Sequence, residues 1–183
     1  MADLRPAPTL PPPAGADACT AVLAYDGVAR DVVARLKYRN HRSTVAGLAR
    51  AMAAAVVRRP DVVTWAPTTA DRRRARGFDH AELLARAVAR ELGRPCRPLL
   101  LRRPGPPQTG RTLAERRSRG PTLVATVAPP PPRHVLVVDD VVTSGATASA
   151  AALALRQVGV ARVDVLAAAR TPPPRAAKDH HAA

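Results

Sequence analysis

Val135-Leu136-Val137-Val138-Asp139-Asp140-Val141-Val142-Thr143-Ser144-Gly145-Ala146-Thr147 is the stretch that decides how this chain folds. Its first four residues are apolar and three of them are β-branched, the character of a parallel strand buried on both faces. Two adjacent acids follow at the C-terminal edge of that strand, where parallel α/β sheets bind their ligands. Charge at such a place is costly unless something satisfies it. The next turn, Thr143 to Thr147, supplies small hydroxyls, a glycine for tight backbone geometry and the free amides of a starting helix, which together make a phosphate cradle. Acids beside a phosphate site call for hydroxyls or a divalent cation between them, so a sugar phosphate is the natural ligand.

Other chemistries share parts of this pattern. An apolar run ending in Asp-Asp also describes a Walker B strand, but the chain has no G-x-x-x-x-G-K-[ST], and none of its ten glycines precedes a lysine. The G-x-G-x-x-G of a dinucleotide site is absent too. A purely structural alternative has Asp139 and Asp140 begin a turn and Thr143 cap a helix.

Outward from this stretch, helical spacing of Val28, Val32 and Leu36 predicts a helix over Val28 to Tyr38, and a second helix crosses Val45 to Val57. Asp61 to Trp65 reads as a short buried strand. Asp79 followed by Glu82 resembles a capping box, opening a helix on Leu84, Val88 and Leu92 that ends at Gly93. His80 is expected on the surface in its first turn, and Phe78 as a hydrophobic staple before it. A helix from Ala146 to Val158, closed by Gly159, and a last strand over Val163 to Leu166 complete an α/β pattern with a parallel sheet flanked by helices. The prolines concentrate at Pro6 to Pro13, Pro129 to Pro132 and Pro172 to Pro174. Runs of this kind lack backbone donors, so residues 1–18 and 171–183 are expected as disordered tails around one domain at 19–170.

Lys+Arg total 29 against 14 Asp+Glu, a formal charge of +15, while hydrophobic residues at 46% suffice for one core. No apolar stretch is long enough to span a membrane and no signal-peptide pattern opens the chain, so a cytoplasmic protein without a membrane partner is expected. Cys19 and Cys96 are too few and too far apart for a disulfide framework or a structural zinc. Fourteen of the arginines fall between Arg72 and Arg119, against four acids there. Within that segment Arg102 to Gly120 has no apolar periodicity, three prolines and three glycines, and reads as a mobile basic loop.

The stretch Val135 to Thr147 resembles the 5-phosphoribosyl-1-pyrophosphate (PRPP) binding motif of type I phosphoribosyltransferases. Leu36-Lys37-Tyr38, Ala66-Pro67, Arg76-Gly77-Phe78-Asp79-His80, Gln108, Leu113 and Glu115-Arg116-Arg117 resemble, in that order, the competence-associated ComF family. The resemblance spans about residues 21 to 170. It implies a type I phosphoribosyltransferase-like fold and transfer of phosphoribosyl from PRPP to an unidentified acceptor with release of pyrophosphate, linked to DNA uptake. It further implies Asp139 and Asp140 as catalytic acids on the ribose hydroxyls with Mg²⁺ beside them, and Thr143, Ser144, Gly145, Ala146 and Thr147 around the 5-phosphate. Lys37 and Arg76 become candidates for the pyrophosphate, and Gln108, Arg116 and Arg117 the working residues of a loop that closes over the reacting centre. The chain departs from the family in having Asp79 and His80 where Asn and Gln are usual. Only Cys19 stands where many members carry a zinc ribbon.

Two further classes stay open. A charge of this size attracts a polyanion, so a nucleic-acid-binding adaptor is one alternative, although an aromatic content of 2% leaves too few rings for a base-stacking surface. A PRPP-sensing protein with a retained, non-catalytic site is the other. The partners in view are therefore PRPP and its acceptor, nucleic acid held weakly and non-specifically, and a second copy of the chain in a homodimer.

Overall fold

The computed structural model describes residues 6–9, 11–26, 42–69, 74, 77, 79–103 and 121–172. Lys37, Arg76, Phe78, Gln108, Arg116 and Arg117 lie outside the described residues, as does the helix expected over Val28 to Tyr38.

Among the described residues nine elements follow one another: β1 (Ala18–Ala24), α1 (Arg42–Ala54), β2 (Val62–Trp65), α2 (His80–Leu92), β3 (Leu100–Arg102), β4 (Leu123–Ala125), β5 (His134–Val142), α3 (Ala146–Gln157) and β6 (Arg162–Arg170). Four strands form one parallel sheet in the order β1-β6-β5-β2, and β3 pairs antiparallel with β4 in a second, two-stranded sheet. The architecture is a parallel sheet flanked by helices, as the alternation of apolar runs predicts.

Burial on both faces explains why the strands read as continuous apolar runs. Leu136 and Val138 of β5 point to one face with Leu166 and Ala168 of β6, where Leu48 and Met52 of α1 and Leu84 and Val88 of α2 cover them. Val135 and Val137 point to the other, with Val163, Val165 and Ala167, under Ala151, Ala152 and Leu155 of α3 and Leu100 and Leu123 of the small sheet. α3 presents alanines to the sheet, so its backbone lies close to the strands. Along the N-terminal edge, the buried His134 ring approaches Asp164 Oδ2 at 3.0 Å, and the Asp164 carboxylate also takes Arg162, which ties the starts of β5 and β6 together.

Several expectations are corrected. β5 does not stop at Val138: it continues through both acids to Val142, pairing with β6 throughout, while β2 ends where Trp65 meets Val138. β6 likewise runs on to Arg170. The helix expected over Val45 to Val57 starts at Arg42 and ends at Ala54. β1, β3 and β4 carry no distinctive sequence signal and were not expected. Arg102 and Arg103 do not belong to a loop, because Arg102 closes β3 and the Arg103 amide donates to Thr122 O at 3.0 Å. His80 is buried, 5% exposed, because the first turn of α2 packs against the sheet edge.

Residues 11–17 have hydrogen-bond partners in the sheet. Pro11 O accepts from Arg170 Nη2 at 2.9 Å, and the Asp17 amide donates to Val163 O at 2.8 Å. Proline removes donors but keeps its carbonyl acceptor, so a polyproline segment can still be held by donors elsewhere in the fold.

The helix ends yield a test of these packing terms. Leu84 is 1% exposed in the core, so Leu84→Ala should cost about 2–5 kcal/mol. Gly93 has φ 62 and open space where a β-carbon would stand, so Gly93→Ala should cost only about 1–2 kcal/mol of left-handed backbone strain. Urea denaturation of both variants measures the difference, and an equal cost would contradict the packing described.

Candidate functional site

The unequal lengths of β2 and β5 create the site. Val135 to Val138 are flanked by β2 on one side and β6 on the other, but Asp139 and Asp140 extend past the end of β2, with β6 alone beside them. The space left by β2 opens into a cavity of about 190 Å³, lined by Ala66, Pro67, Thr68, Asp79, His80, Ala81, Arg102, Asp139, Asp140, Val141 and Thr147. This is the C-terminal edge of the sheet, where α/β folds present their ligand-binding groups.

Each wall has a local cause. Asp139 Oδ1 accepts the Asp140 amide at 2.8 Å, and Asp140 Oδ1 accepts the Val141 amide at 2.8 Å. One oxygen of each carboxylate is thereby engaged by backbone. Asp79 caps α2, with Oδ1 on the Ala81 amide at 3.0 Å, while its Oδ2 accepts the Thr68 amide at 2.8 Å. The same side chain therefore starts a helix and fixes the loop leaving β2. The capping box is only half realised, since the Glu82 carboxylate turns to Arg86 at 2.8 Å. Arg102 reaches in from β3 and donates through Nη1 to Pro67 O at 3.4 Å.

Beside the cavity, Thr143 and Ser144 are exposed and Gly145 opens α3 with φ 77, a left-handed conformation that favours glycine. Gly145 has no side chain to cap this helix, and at its positive end only the Ser144 hydroxyl accepts the Ala146 amide, at 3.4 Å. Of the residues singled out from sequence, Asp139, Asp140 and Thr147 meet in one cavity. Thr143, Ser144, Gly145 and Ala146 form the adjoining turn and are not among the cavity's walls. Thr68, His80 and Arg102 were missed as site residues, and Asp79 was read only as a helix cap. The signal available for Thr68 was its place just after a buried strand; His80 and Arg102 reach the site through tertiary packing alone.

Burial pushes the Asp139 carboxyl well above the usual carboxylate range, and the charges of Asp140 and Asp79 push it the same way. The cavity is thus acidic in a chain of net charge +15. Its open carboxylate oxygens and hydroxyls suit neutral hydroxyl groups directly, and suit an anion only across a cation. Among the described residues no group of three or more His, Cys, Asp or Glu forms a metal cage. Hard oxygen donors from two adjacent carboxylates do fit a Mg²⁺ ion that keeps waters and shares itself with substrate oxygens.

The raised Asp139 carboxyl sets a pH dependence. The folded state keeps the proton to higher pH than the unfolded chain, whose carboxyl titrates near 3.8. Folding stability contributed by this group therefore falls as pH rises from that value through the raised one. Asp139→Asn retains the acceptor for the Asp140 amide and removes the charge, so it should raise the melting temperature at pH 7 by about 2–4 °C. The gain should vanish near pH 3.5, as melting curves of the two proteins across this range will report.

No protein-family model and no curated protein matches this chain. Among solved structures, the chain is similar to a glutamine PRPP amidotransferase from B. subtilis complexed with ADP and GMP, with TM-score 0.48 and 23% identity over 66% of this chain and 25% of that one. It is similar to a structure described as the allosteric regulatory enzyme of purine biosynthesis, with TM-score 0.47 and 22% identity over 68% of this chain and 25% of that one. A third is an orotate phosphoribosyltransferase from Aeropyrum pernix, with TM-score 0.40 and 19% identity over 70% of each chain. This chain spans a quarter of the length of the first two.

Proposed function

We propose that this protein is a phosphoribosyltransferase of the ComF type that binds PRPP with Mg²⁺ and transfers phosphoribosyl to an acceptor, releasing pyrophosphate. The observation that carries the reading is the step at the end of β2, which leaves Asp139 and Asp140 facing a cavity shared with Thr147 at the start of α3. On this reading the acids accept hydrogen bonds from the ribose hydroxyls, and the uncapped amides of Thr143 to Thr147 take the 5-phosphate. Asp139, Asp140 and the substrate's own oxygens would hold Mg²⁺, which neutralises charge developing on pyrophosphate as its bond to the anomeric carbon breaks. The bonding electron pair leaves with pyrophosphate, and a lone pair of the acceptor forms the new bond to the ribose carbon. Lys37 and Arg76 are assigned to the pyrophosphate, and Gln108, Arg116 and Arg117 to excluding water from the electron-poor ribose.

The net charge of +15 favours one competing reading, a nucleic-acid-binding adaptor for DNA uptake that keeps PRPP as a signal. If DNA binding is only attraction to scattered arginines, it should show no sequence preference and fall steeply between about 50 and 200 mM salt. DNA binding that survives physiological salt, without pyrophosphate release on any acceptor, would favour the adaptor.

Titration calorimetry with PRPP and Mg²⁺ tests the main reading. Wild type should bind, and Asp139→Asn and Asp140→Asn should each weaken binding about tenfold or more. Gly145→Val should abolish it through strain at positive φ and a side chain on the turn. Arg116→Ala and Arg117→Ala should leave PRPP affinity near wild type and lower pyrophosphate release across a panel of nucleobase acceptors. A folded wild type with no PRPP binding at millimolar ligand would refute the assignment.

A further inference from the structure

The turn proposed to take a phosphate has little of its own to hold its shape. Gly145 lacks a side chain, no side chain caps α3, and the Ser144 hydroxyl reaches the Ala146 amide only at 3.4 Å. Yet Gly145 is buried. What covers it is the proline run near the N-terminus: a β-carbon built on Gly145 would stand 3.3 Å from Pro13 Cγ and 3.5 Å from Pro13 Cβ.

That run is anchored on both sides of Pro13. Before it, the buried Arg170 at the end of β6 donates to Pro11 O at 2.9 Å. After it, Arg156 of α3 donates to Gly15 O at 3.2 Å and pairs with Asp17 Oδ2 at 2.5 Å; that carboxylate also accepts the Val163 amide at 2.8 Å. Gly15, at φ 83, lies so close to α3 that a β-carbon there would stand 3.0 Å from the Leu153 backbone nitrogen. Two arginines, one from each element flanking the turn's sheet edge, thus hold a segment of fixed φ across a flexible glycine. Proline carries little conformational entropy of its own, so it makes a stiff wall.

We propose that Pro11 to Gly15 is a strap that positions the turn Thr143 to Thr147, with Pro13 wedged against Gly145 so that the turn's amides stay aimed at a phosphate monoester. The inference rests on the phosphate reading of this turn and adds the residue that preorganises it. Pro13 touches no ligand in this scheme; it acts through Gly145 by removing backbone freedom that binding would otherwise have to remove.

Pro13→Gly takes away the wedge and leaves both anchors. Gly15→Ala lifts the strap from α3 by a backbone clash. Amide hydrogen exchange of the ligand-free protein and titration with ribose 5-phosphate, followed on amide resonances, are measured for both, together with melting temperature. Both variants should speed exchange about tenfold at Ser149, whose amide donates to Gly145 O at 2.8 Å, leave Val135 to Val138 protected, and weaken ribose 5-phosphate about tenfold. Pro13→Ala, which retains the β-carbon but frees φ, should fall between Pro13→Gly and wild type. Unchanged exchange at the turn in Pro13→Gly overturns the strap, and so does faster exchange with unchanged affinity. If wild type binds no ribose 5-phosphate at millimolar concentration, the phosphate reading of the turn falls and takes the ligand half of this inference with it. The exchange data then still report whether the strap holds the turn.

Discussion

The structure depends on one mismatch of hydrogen-bonded length. β5 runs nine residues and β2 only four, so the central strand loses one neighbour at Val138 and continues with β6 alone. Up to that point both ladder edges and both faces of the strand are occupied, and only apolar, largely β-branched residues fit. Beyond it one edge is open, and polar side chains can stand there with solvent and neighbouring loops to satisfy them. Every other wall of the cavity is set relative to that step. The loop leaving β2 is tied to the α2 N-terminus through Asp79, and Arg102 reaches in across the loop to Pro67.

The charge distribution sharpens what such a cavity can hold. The chain as a whole is strongly basic, whereas its cavity gathers Asp79, Asp139 and Asp140 against Arg102. The long-range field draws in anions, and the cavity itself rejects them unless hydroxyls or a cation intervene. A ligand with a phosphate at one end and hydroxyls next to it suits both terms, since the uncapped start of α3 lies immediately beside the acids. Burial of Asp139 next to two other carboxyls is unfavourable for folding alone, and groups kept in such a state are commonly there for ligand chemistry.

The proline-rich segment near the N-terminus takes its partners from distant parts of the chain. Proline cannot donate to a ladder, and from that property a disordered tail follows only if nothing donates to the prolines. Here Arg170 donates to Pro11 and Arg156 to Gly15, and both donors sit more than a hundred residues away in sequence. Their side chains are fixed by β6 and α3, which no local pattern around Pro11 announces.

By itself the sequence determined the central strand, the helix from Asp79 to Gly93, the helix after Gly145, the parallel sheet flanked by helices, and the adjacency of Asp139 and Asp140 to a glycine turn that opens a helix. These follow from local physics: β-branched runs want two-sided burial, Asp caps a helix through the amide two residues on, and glycine adopts the φ values found at Gly93 and Gly145 without strain. Tertiary structure alone decided where β2 stops, and therefore which residues of β5 are exposed at the site. It also brought Thr68, Asp79, His80 and Arg102 to the acids and laid Pro13 over Gly145. β1 and the β3–β4 pair were likewise invisible beforehand, because short strands are specified by the partner they meet rather than by any period of their own. The division has one cause. Spacing along a chain encodes what each residue needs from its nearest neighbours, while a cavity is made by side chains whose separation in sequence carries no information about their separation in space.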